Sequence, residues 1–144
     1  MNLDFKKIIE ESAKAKLLMI DECLESIKKA STTMLEAINK GNKILWCGNG
    51  GSAADSQHMS AELMGGLRSH SRPPIPSLAL TTDSSFVTAW SNDTSYESIF
   101  SRQIEGIGSS GDVLVAISTS GNSTNVLNAI RSANLKKIKS VILT

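Results

Sequence analysis

The feature that most constrains the fold is an unbroken apolar run followed at once by a polar turn and an amphipathic helix. Residues 113–117 read Val-Leu-Val-Ala-Ile, too short for a helix and rich in β-branched side chains, which predicts a buried strand. Residues 118–123 read Ser-Thr-Ser-Gly-Asn-Ser. Apolar residues then recur at helical spacing, so the sequence predicts a strand, a turn and a helix with Ser123 as its N-cap.

Such a turn is typical of an anion site. It places backbone N–H groups and hydroxyls at the positive end of a helix dipole, where phosphate binds readily. Gly121 permits a turn geometry that a residue with a side chain would resist. The alternative is a flexible Ser/Gly linker, but a linker is rarely bounded so tightly by a strand and a helix. We therefore expect a phosphate site, and the pattern does not specify which phosphate compound it takes.

The overall composition excludes several other classes of protein. A length of 144 residues with 40% hydrophobic and 20% charged residues suits a single soluble domain with a core. The net charge is +1 and no basic block stands out, so nucleic-acid binding has no support. The two cysteines, Cys23 and Cys47, form neither a disulfide framework nor a metal-type spacing. With no pattern of a signal peptide or a membrane span, we expect a cytoplasmic protein.

The first 40 residues are expected to be helical. From Asp4 to Ala30, apolar residues recur at three- and four-residue steps between Lys and Glu, and Ser31–Thr33 could cap a second helix that ends before Gly41. The first helix, of about 26 residues, would be about 40 Å long, which is long for a chain of this size. Its apolar stripe either packs on its own domain or partly covers another subunit, and the pattern leaves both open.

From residue 41 onward, predicted strands alternate with predicted helices. Strands are expected at 43–47, 77–80, 113–117 and 139–144, with helices at 53–64, 84–90 (capped by Ser84, with a polar break at 91–94), 96–107 and after 123. This alternation predicts an α/β fold with a mainly parallel sheet. The loops that leave the carboxyl ends of strands, at 48–52, 81–83 and 118–123, should therefore converge. We expect one domain over residues 1–144, with a helical segment at 1–40 and an α/β part at 41–144.

A second candidate site lies on the helix after the glycine turn. His58 and Glu62 are four residues apart there and so share one face. A solvent-exposed pair of this kind is common and stabilises a helix by only about a few tenths of a kcal/mol. The same side chains can also supply two ligands to a metal, although a zinc site takes more. Charged residues of the following loop are read as solvated rather than catalytic: Arg68, His70 and Arg72.

Several segments together carry a more specific signal. They are 47–52, 57–58, 61–63, 92–93, 100–103, 111–114 and 117–123. With them, the chain from about residue 41 to residue 144 resembles the SIS (sugar isomerase) domain family, and within it the bacterial phosphoheptose isomerases. The resemblance implies a SIS-type three-layer fold and a cytoplasmic homotetramer. It also implies interconversion of D-sedoheptulose 7-phosphate and D-glycero-D-manno-heptose 7-phosphate, which supplies heptose for lipopolysaccharide or capsule.

The same resemblance implies roles for particular residues. Phosphate is held by the loop after the organising strand, through Ser118, Ser120 and Ser123. The remaining contacts to substrate come from Asn49, Gly50, Gly51, Glu62, Asn92, Asp93 and Thr119. One Zn²⁺ per subunit is bound by His58 and Glu62, and Glu62 also acts as the base.

The family's pattern continues past the position of Thr144 with a strand and a helix, whose Gln and His complete the metal site. We therefore expect the 144-residue form to keep the phosphate loop, to bind zinc weakly and to isomerise poorly. One alternative is a non-catalytic SIS module that binds a sugar phosphate or a protein, like the relative that associates with the bacterial replication initiator. That relative lacks the acid at Glu62, so this residue favours an enzyme. Another alternative is a different sugar-phosphate isomerase, and the pairing of His58 with Glu62 favours heptose.

Overall fold

The computed structural model describes residues 4–144. The chain forms two compact units, Met1–Thr32 and Thr33–Thr144. The second unit holds the whole sheet and every candidate site residue.

The first unit is helical. Helix α1 spans Phe5–Glu22 and is capped by Asp4, whose carboxylate accepts a hydrogen bond from the Lys7 N–H at 3.1 Å. Helix α2, Leu24–Asn39, begins in the same unit. No residue of α1 is buried, yet the helix exposes large apolar side chains: Phe5, Ile8, Ile9, Leu17, Leu18, Met19 and Ile20. A single copy of the chain therefore leaves this apolar surface in water.

The prediction of one helix from Asp4 to Ala30 is wrong. The chain breaks at Cys23, where ψ is −12°, and α2 then runs through Ser31–Thr33, which were predicted to cap it. The interruption is small because the Cys23 N–H still donates to the Met19 carbonyl and its own carbonyl still accepts from the Ile27 N–H. Apolar periodicity continues across this break, so periodicity alone could not reveal it.

The second unit is built on a four-stranded parallel sheet with the order β2-β1-β3-β4. The strands are β1 (Ile44–Gly48), β2 (Ser77–Ala79), β3 (Val113–Ile117) and β4 (Lys139–Leu143). The central strands β1 and β3 pair in register from Ile44 with Val113 to Gly48 with Ile117. The parallel α/β sheet predicted from the sequence is confirmed.

Helices cover both faces of the sheet. They are the end of α2, α3 (Gly51–Gly65), α4 (Ser84–Asp93), α5 (Ile99–Ile107) and α6 (Thr124–Leu135), with a 3₁₀ turn at Tyr96–Ser98. Alternate residues of β1 point to opposite faces: Leu45 packs in a cluster with Phe100 and Val126, whereas Trp46 packs in a cluster with Ala37. The result is the three-layer arrangement expected of the fold. No helix within residues 4–144 has the length and apolar character needed to cross a membrane.

A buried carboxylate fixes the amino ends of the two central strands. Asp112 is 1% exposed and accepts hydrogen bonds from the backbone N–H groups of Lys43 at 3.0 Å and Ser109 at 2.8 Å. The Lys43 ammonium lies 2.7 Å from the same carboxylate. The charge is therefore paired and hydrogen-bonded, as a buried charge must be.

Several predicted element boundaries are corrected by side-chain hydrogen bonds. Asp83, not Ser84, caps α4, because its carboxylate accepts from the Phe86 N–H at 2.9 Å. The predicted polar break at 91–94 is wrong for 91–93, which form the last turn of α4. Within that turn the Ser91 hydroxyl donates to the Val87 carbonyl at 2.6 Å, so its polar group is satisfied inside the helix.

Candidate functional site

Two βα turns lie side by side at the carboxyl end of the sheet. Gly48, which ends β1, pairs with Ile117, which ends β3, so the turns that follow these strands are neighbours. A cavity of about 310 Å³ opens between them, lined by Asn49, Tyr96, Glu97, Ser123, Thr124 and Asn125. The predicted convergence of these two loops is therefore observed.

The turn after β1 is shorter than predicted. Helix α3 begins at Gly51, so only Asn49 and Gly50 lie between strand and helix. Gly50 has a φ of +56°, which favours glycine because a Cβ would be strained there. Asn49 lines the cavity, and its carboxamide is held by hydrogen bonds to Asn125 and Tyr96.

The turn after β3 gathers its hydroxyls into one cluster. Ser118 Oγ lies 3.4 Å from Ser120 Oγ and 3.2 Å from Ser123 Oγ. Ser118 is 6% exposed and is fixed at the end of β3, where its N–H donates to the Leu143 carbonyl at 2.9 Å. Gly121 has a φ of +65°, as the predicted turn requires.

The hydroxyl cluster lies at the positive end of a helix dipole. Ser123 occupies the N-cap of the 12-residue α6, as predicted, but within the described residues its hydroxyl contacts Ser118 and makes no hydrogen bond to the first turn of the helix. The N–H groups of that turn are left for another acceptor. Hydroxyl donors and free helix N–H groups together suit a phosphate. Thr119 is exposed on the same turn.

The second candidate site, His58 and Glu62 on α3, is more exposed to solvent than Ser118 of the hydroxyl cluster. His58 Nε2 and Glu62 Oε1 are 4.0 Å apart, and their side chains are 70% and 29% exposed. His and Glu are zinc ligands with bonds of about 2.0–2.2 Å, so two donors 4.0 Å apart stand at the outer limit for sharing one ion. No group of three or more His, Cys, Asp or Glu residues within 4–144 could hold a metal. The donor types fit zinc, but these two ligands are fewer than the three that catalytic zinc takes from protein.

The predicted substrate contacts Asn92 and Asp93 do not line the cavity. They are exposed at the end of α4, where the Asn92 amide donates to the Asp93 carboxylate at 2.7 Å. The loop after β2 does contact α3, because the Gln57 amide donates to the Thr81 hydroxyl at 3.3 Å. Gly51 is exposed as the first residue of α3.

Sequence reasoning missed one residue that fixes the end of α3. Arg72 was expected to be solvated, but it is half-buried and donates to the carbonyls of Glu62 and Leu63, each at 2.7 Å. A cation at a helix carboxyl terminus compensates the negative end of the dipole, and here it adds to the backbone hydrogen bonds that the same two carbonyls accept from the Gly66 and Ile75 N–H groups. Arg68 and His70 are exposed, as expected.

Cys47 behaves as a core residue. It is fully buried in β1, and burial raises the pKa of its thiol to about 12. The thiol is therefore protonated at neutral pH and is neither a nucleophile nor a metal ligand there.

Comparison with known proteins assigns the chain to a family. The SIS domain family matches residues 9–144. The phosphoheptose isomerase of Coxiella burnetii (strain RSA 493 / Nine Mile phase I) is 48% identical over 147 residues, which cover 100% of this chain and 73% of the relative.

Solved structures agree in fold. A phosphoheptose isomerase from Francisella tularensis matches with a TM-score of 0.92 at 34% identity, covering 96% of this chain and 72% of that one. The phosphoheptose isomerase of Neisseria gonorrhoeae matches with a TM-score of 0.87 at 40% identity, covering 95% and 71% respectively.

Proposed function

The chain belongs to the SIS domain family, and we propose on that basis that it is a phosphoheptose isomerase. The observation that carries the proposal is identity of 48% with an enzyme of that name along the whole chain. Its substrate is D-sedoheptulose 7-phosphate and its product D-glycero-D-manno-heptose 7-phosphate. The product supplies heptose for a bacterial lipopolysaccharide or capsule.

The phosphate binds at the turn after β3. The Ser118, Ser120 and Ser123 hydroxyls donate to its oxygens, and the first turn of α6 adds backbone N–H groups. The clustering of the three hydroxyls supports this role, because their oxygens lie within 3.4 Å of Ser118 Oγ. Anchoring the phosphate orients the sugar without taking part in the bond changes.

The sugar extends from this anchor into the cavity. Asn49 and Gly50 contact it from the turn after β1, Gly51 from the start of α3, and Thr119 from the turn after β3. Asn49 is the one among them that lines the cavity. Asn92 and Asp93 stay predicted substrate contacts, and nothing in the arrangement of this chain supports them.

Glu62 is the base of the reaction. Its carboxylate removes a proton from C1 of the ketose while the C2 oxygen gains one, which forms an enediol. Loss of the proton from the C1 hydroxyl and return of a proton to C2 then give the aldose, so no proton is gained or lost overall. The resemblance to the family supports this role; Glu62 is half-buried near the carboxyl end of α3 and does not line the cavity.

We also propose that His58 and Glu62 contribute two ligands to one Zn²⁺ per subunit. When bound, zinc would act as a Lewis acid on the substrate oxygens. The test is zinc content after equilibrium dialysis, measured by atomic absorption. His58→Ala should lower the zinc content, whereas His70→Ala, which changes an exposed histidine of the next loop, should not. Equal zinc in the two variants would contradict the assignment.

We propose that the protein is a cytoplasmic homo-oligomer, and specifically a tetramer. The exposed apolar side chains of α1 support association, because a second copy would remove them from water. The two free cysteines, one exposed and one buried, fit a reducing compartment. Light scattering at micromolar concentration should give the mass of a tetramer, and the mass of a monomer would contradict the proposal.

The activity test is turnover of sedoheptulose 7-phosphate with and without added zinc. The proposal predicts formation of the heptose 7-phosphate, and no turnover of sedoheptulose without its phosphate. Binding of the sugar phosphate without turnover under either condition would instead identify a non-catalytic SIS module.

A further inference from the structure

We propose that Asn125 and Tyr96 are positioning residues that hold the Asn49 carboxamide so that it offers the cavity an N–H donor and no acceptor. The substrate atom at this point is then an oxygen that accepts a hydrogen bond. The inference rests on the proposed function for the identity of the sugar, but the hydrogen-bond network exists without it.

The network joins three parts of the chain that are distant in sequence. The Asn49 and Asn125 carboxamides form a reciprocal pair, in which each Nδ2 donates to the other's Oδ1 at 2.9 Å. The Tyr96 hydroxyl donates to the same Asn49 Oδ1, also at 2.9 Å. Asn125 is 3% exposed, so its carboxamide is held away from water.

Hydrogen bonds within the protein use only part of the hydrogen-bonding capacity of the Asn49 carboxamide. A carboxamide oxygen has two lone pairs, and here Asn125 and Tyr96 engage both. The amide nitrogen has two N–H groups, of which Asn125 engages one. Asn49 lines the cavity, so its second N–H is left for a molecule bound there.

The pair also links the two turns of the site. Asn49 follows β1, whereas Asn125 is the second residue of α6 and lies two residues after Ser123 of the hydroxyl cluster. Joining them fixes the Asn49 donor relative to the phosphate-binding hydroxyls. Without Asn125, the Asn49 carboxamide can turn about χ2, a torsion with broad preferences. The contact to the sugar would then be weakened without any change at Glu62.

The first test is a double-mutant cycle of Asn49→Ala and Asn125→Ala, read as KM and kcat for sedoheptulose 7-phosphate. Asn125→Ala should raise KM about three- to tenfold, the size of one hydrogen bond, with kcat changed less than about twofold. In the Asn49→Ala background the same change should raise KM no further. The control is Asn134→Ala, an exposed asparagine of the same helix, which should leave both constants unchanged.

Additive effects of the two substitutions on KM would overturn the proposal, because Asn125 would then act by packing and not through Asn49.

Tyr96→Phe should raise KM about two- to threefold, because it also removes a hydrogen bond that holds the Asn49 carboxamide. Asn49→Asp keeps an oxygen for Asn125 and Tyr96 but removes the N–H donor. It should therefore raise KM at least as much as Asn49→Ala, and an unchanged KM would show that no donor is needed.

A second measurement separates this inference from the proposed function. In ¹⁵N-labelled wild-type protein, the Asn49 side-chain N–H that donates to Asn125 should exchange with solvent more slowly than the side-chain N–H groups of Asn122, which is exposed. The Asn49 signals should also move in Asn125→Ala. This readout needs no turnover, so an inactive wild type would refute the proposed function alone. Equal exchange at Asn49 and Asn122 would refute the network.

Discussion

The turn after β3 is more strongly preorganised than the pair of His58 and Glu62 on α3. In the turn, strand backbone fixes Ser118, and its hydroxyl lies 3.2 Å from that of Ser123. On α3, the His58 side chain is 70% exposed and lies 4.0 Å from the Glu62 carboxylate. Local backbone geometry therefore organises the proposed anion site, whereas the acid and the histidine share a helix face without being fixed to each other.

The backbone beneath the acid is nevertheless held. Arg72 donates to the Glu62 carbonyl and to the next carbonyl of α3, so the helix end is fixed while the carboxylate keeps its rotamer freedom. Binding of substrate or metal is therefore expected to order Glu62 more than it orders Ser118.

The largest effect should come from Glu62→Gln. The substitution keeps the shape of the side chain and removes the proposed base, so kcat should fall by about two to four powers of ten. Affinity for inorganic phosphate should stay unchanged, because the hydroxyl cluster is intact. Enzyme kinetics and calorimetry measure the two quantities, and Glu105→Gln, at an exposed glutamate of α5, is the control. Near-normal turnover would remove Glu62 from the mechanism.

Ser118→Ala should weaken the binding of the sugar phosphate, whereas Glu62→Gln should slow the chemical step. The loss of one hydrogen bond to a charged ligand should weaken the binding of the sugar phosphate about ten- to a hundredfold, as measured by calorimetry. Ser109→Ala makes the same change at an exposed position before the amino end of the same strand, and it should leave affinity unaltered. If the two variants bound equally well, the phosphate would lie elsewhere.

Arg72→Met should destabilise the end of α3. It removes two hydrogen bonds to helix carbonyls, and a loss of about 2 kcal/mol in the free energy of unfolding is expected. Arg68→Met, at an exposed arginine of the same loop, should change stability little. Urea unfolding measures both variants, and equal stabilities would show that α3 does not depend on Arg72.

The remaining effect concerns the pH dependence of stability and the core residue Cys47. Burial raises the pKa of Cys47 from its ordinary value of 9.0 to about 12 in the fold, so its contribution to stability is complete below pH 9. Above that pH the unfolded thiol ionises first, and stability should fall by up to about 1.4 kcal/mol per pH unit until the folded thiol also ionises.

The check is the slope of unfolding free energy between about pH 9 and pH 11. Cys47→Ala should lessen this slope, whereas Cys23→Ala, at the exposed cysteine, should not. An unchanged slope in Cys47→Ala would mean that other groups account for the alkaline loss of stability.

Local sequence patterns predicted much of the fold and the hydroxyl turn. The run from Val113 to Ile117 is a buried strand because its side chains leave no polar face, and the turn after it needs glycine at Gly121. The break at Cys23 escaped prediction because apolar spacing continues through it.

The contacts that fix the site could not be predicted in the same way. Asn49 and Asn125 are 76 residues apart, and only the pairing of β1 with β3 brings them together. Arg72 likewise resembles any loop arginine until α3 is seen to end beside it. Such contacts depend on tertiary packing and have no local pattern.

Glu62 is proposed to move a proton on a sugar whose phosphate is held by the turn after β3. Incubation of sedoheptulose 7-phosphate with the protein in D₂O, followed by NMR, tests it directly. Wild type should place deuterium on the sugar carbons that exchange a proton through the enediol. Ser118→Ala should do so at a reduced rate when the substrate concentration is low. Glu62→Gln should place almost no deuterium on the sugar. Deuterium incorporation by Glu62→Gln at the wild-type rate would contradict the account.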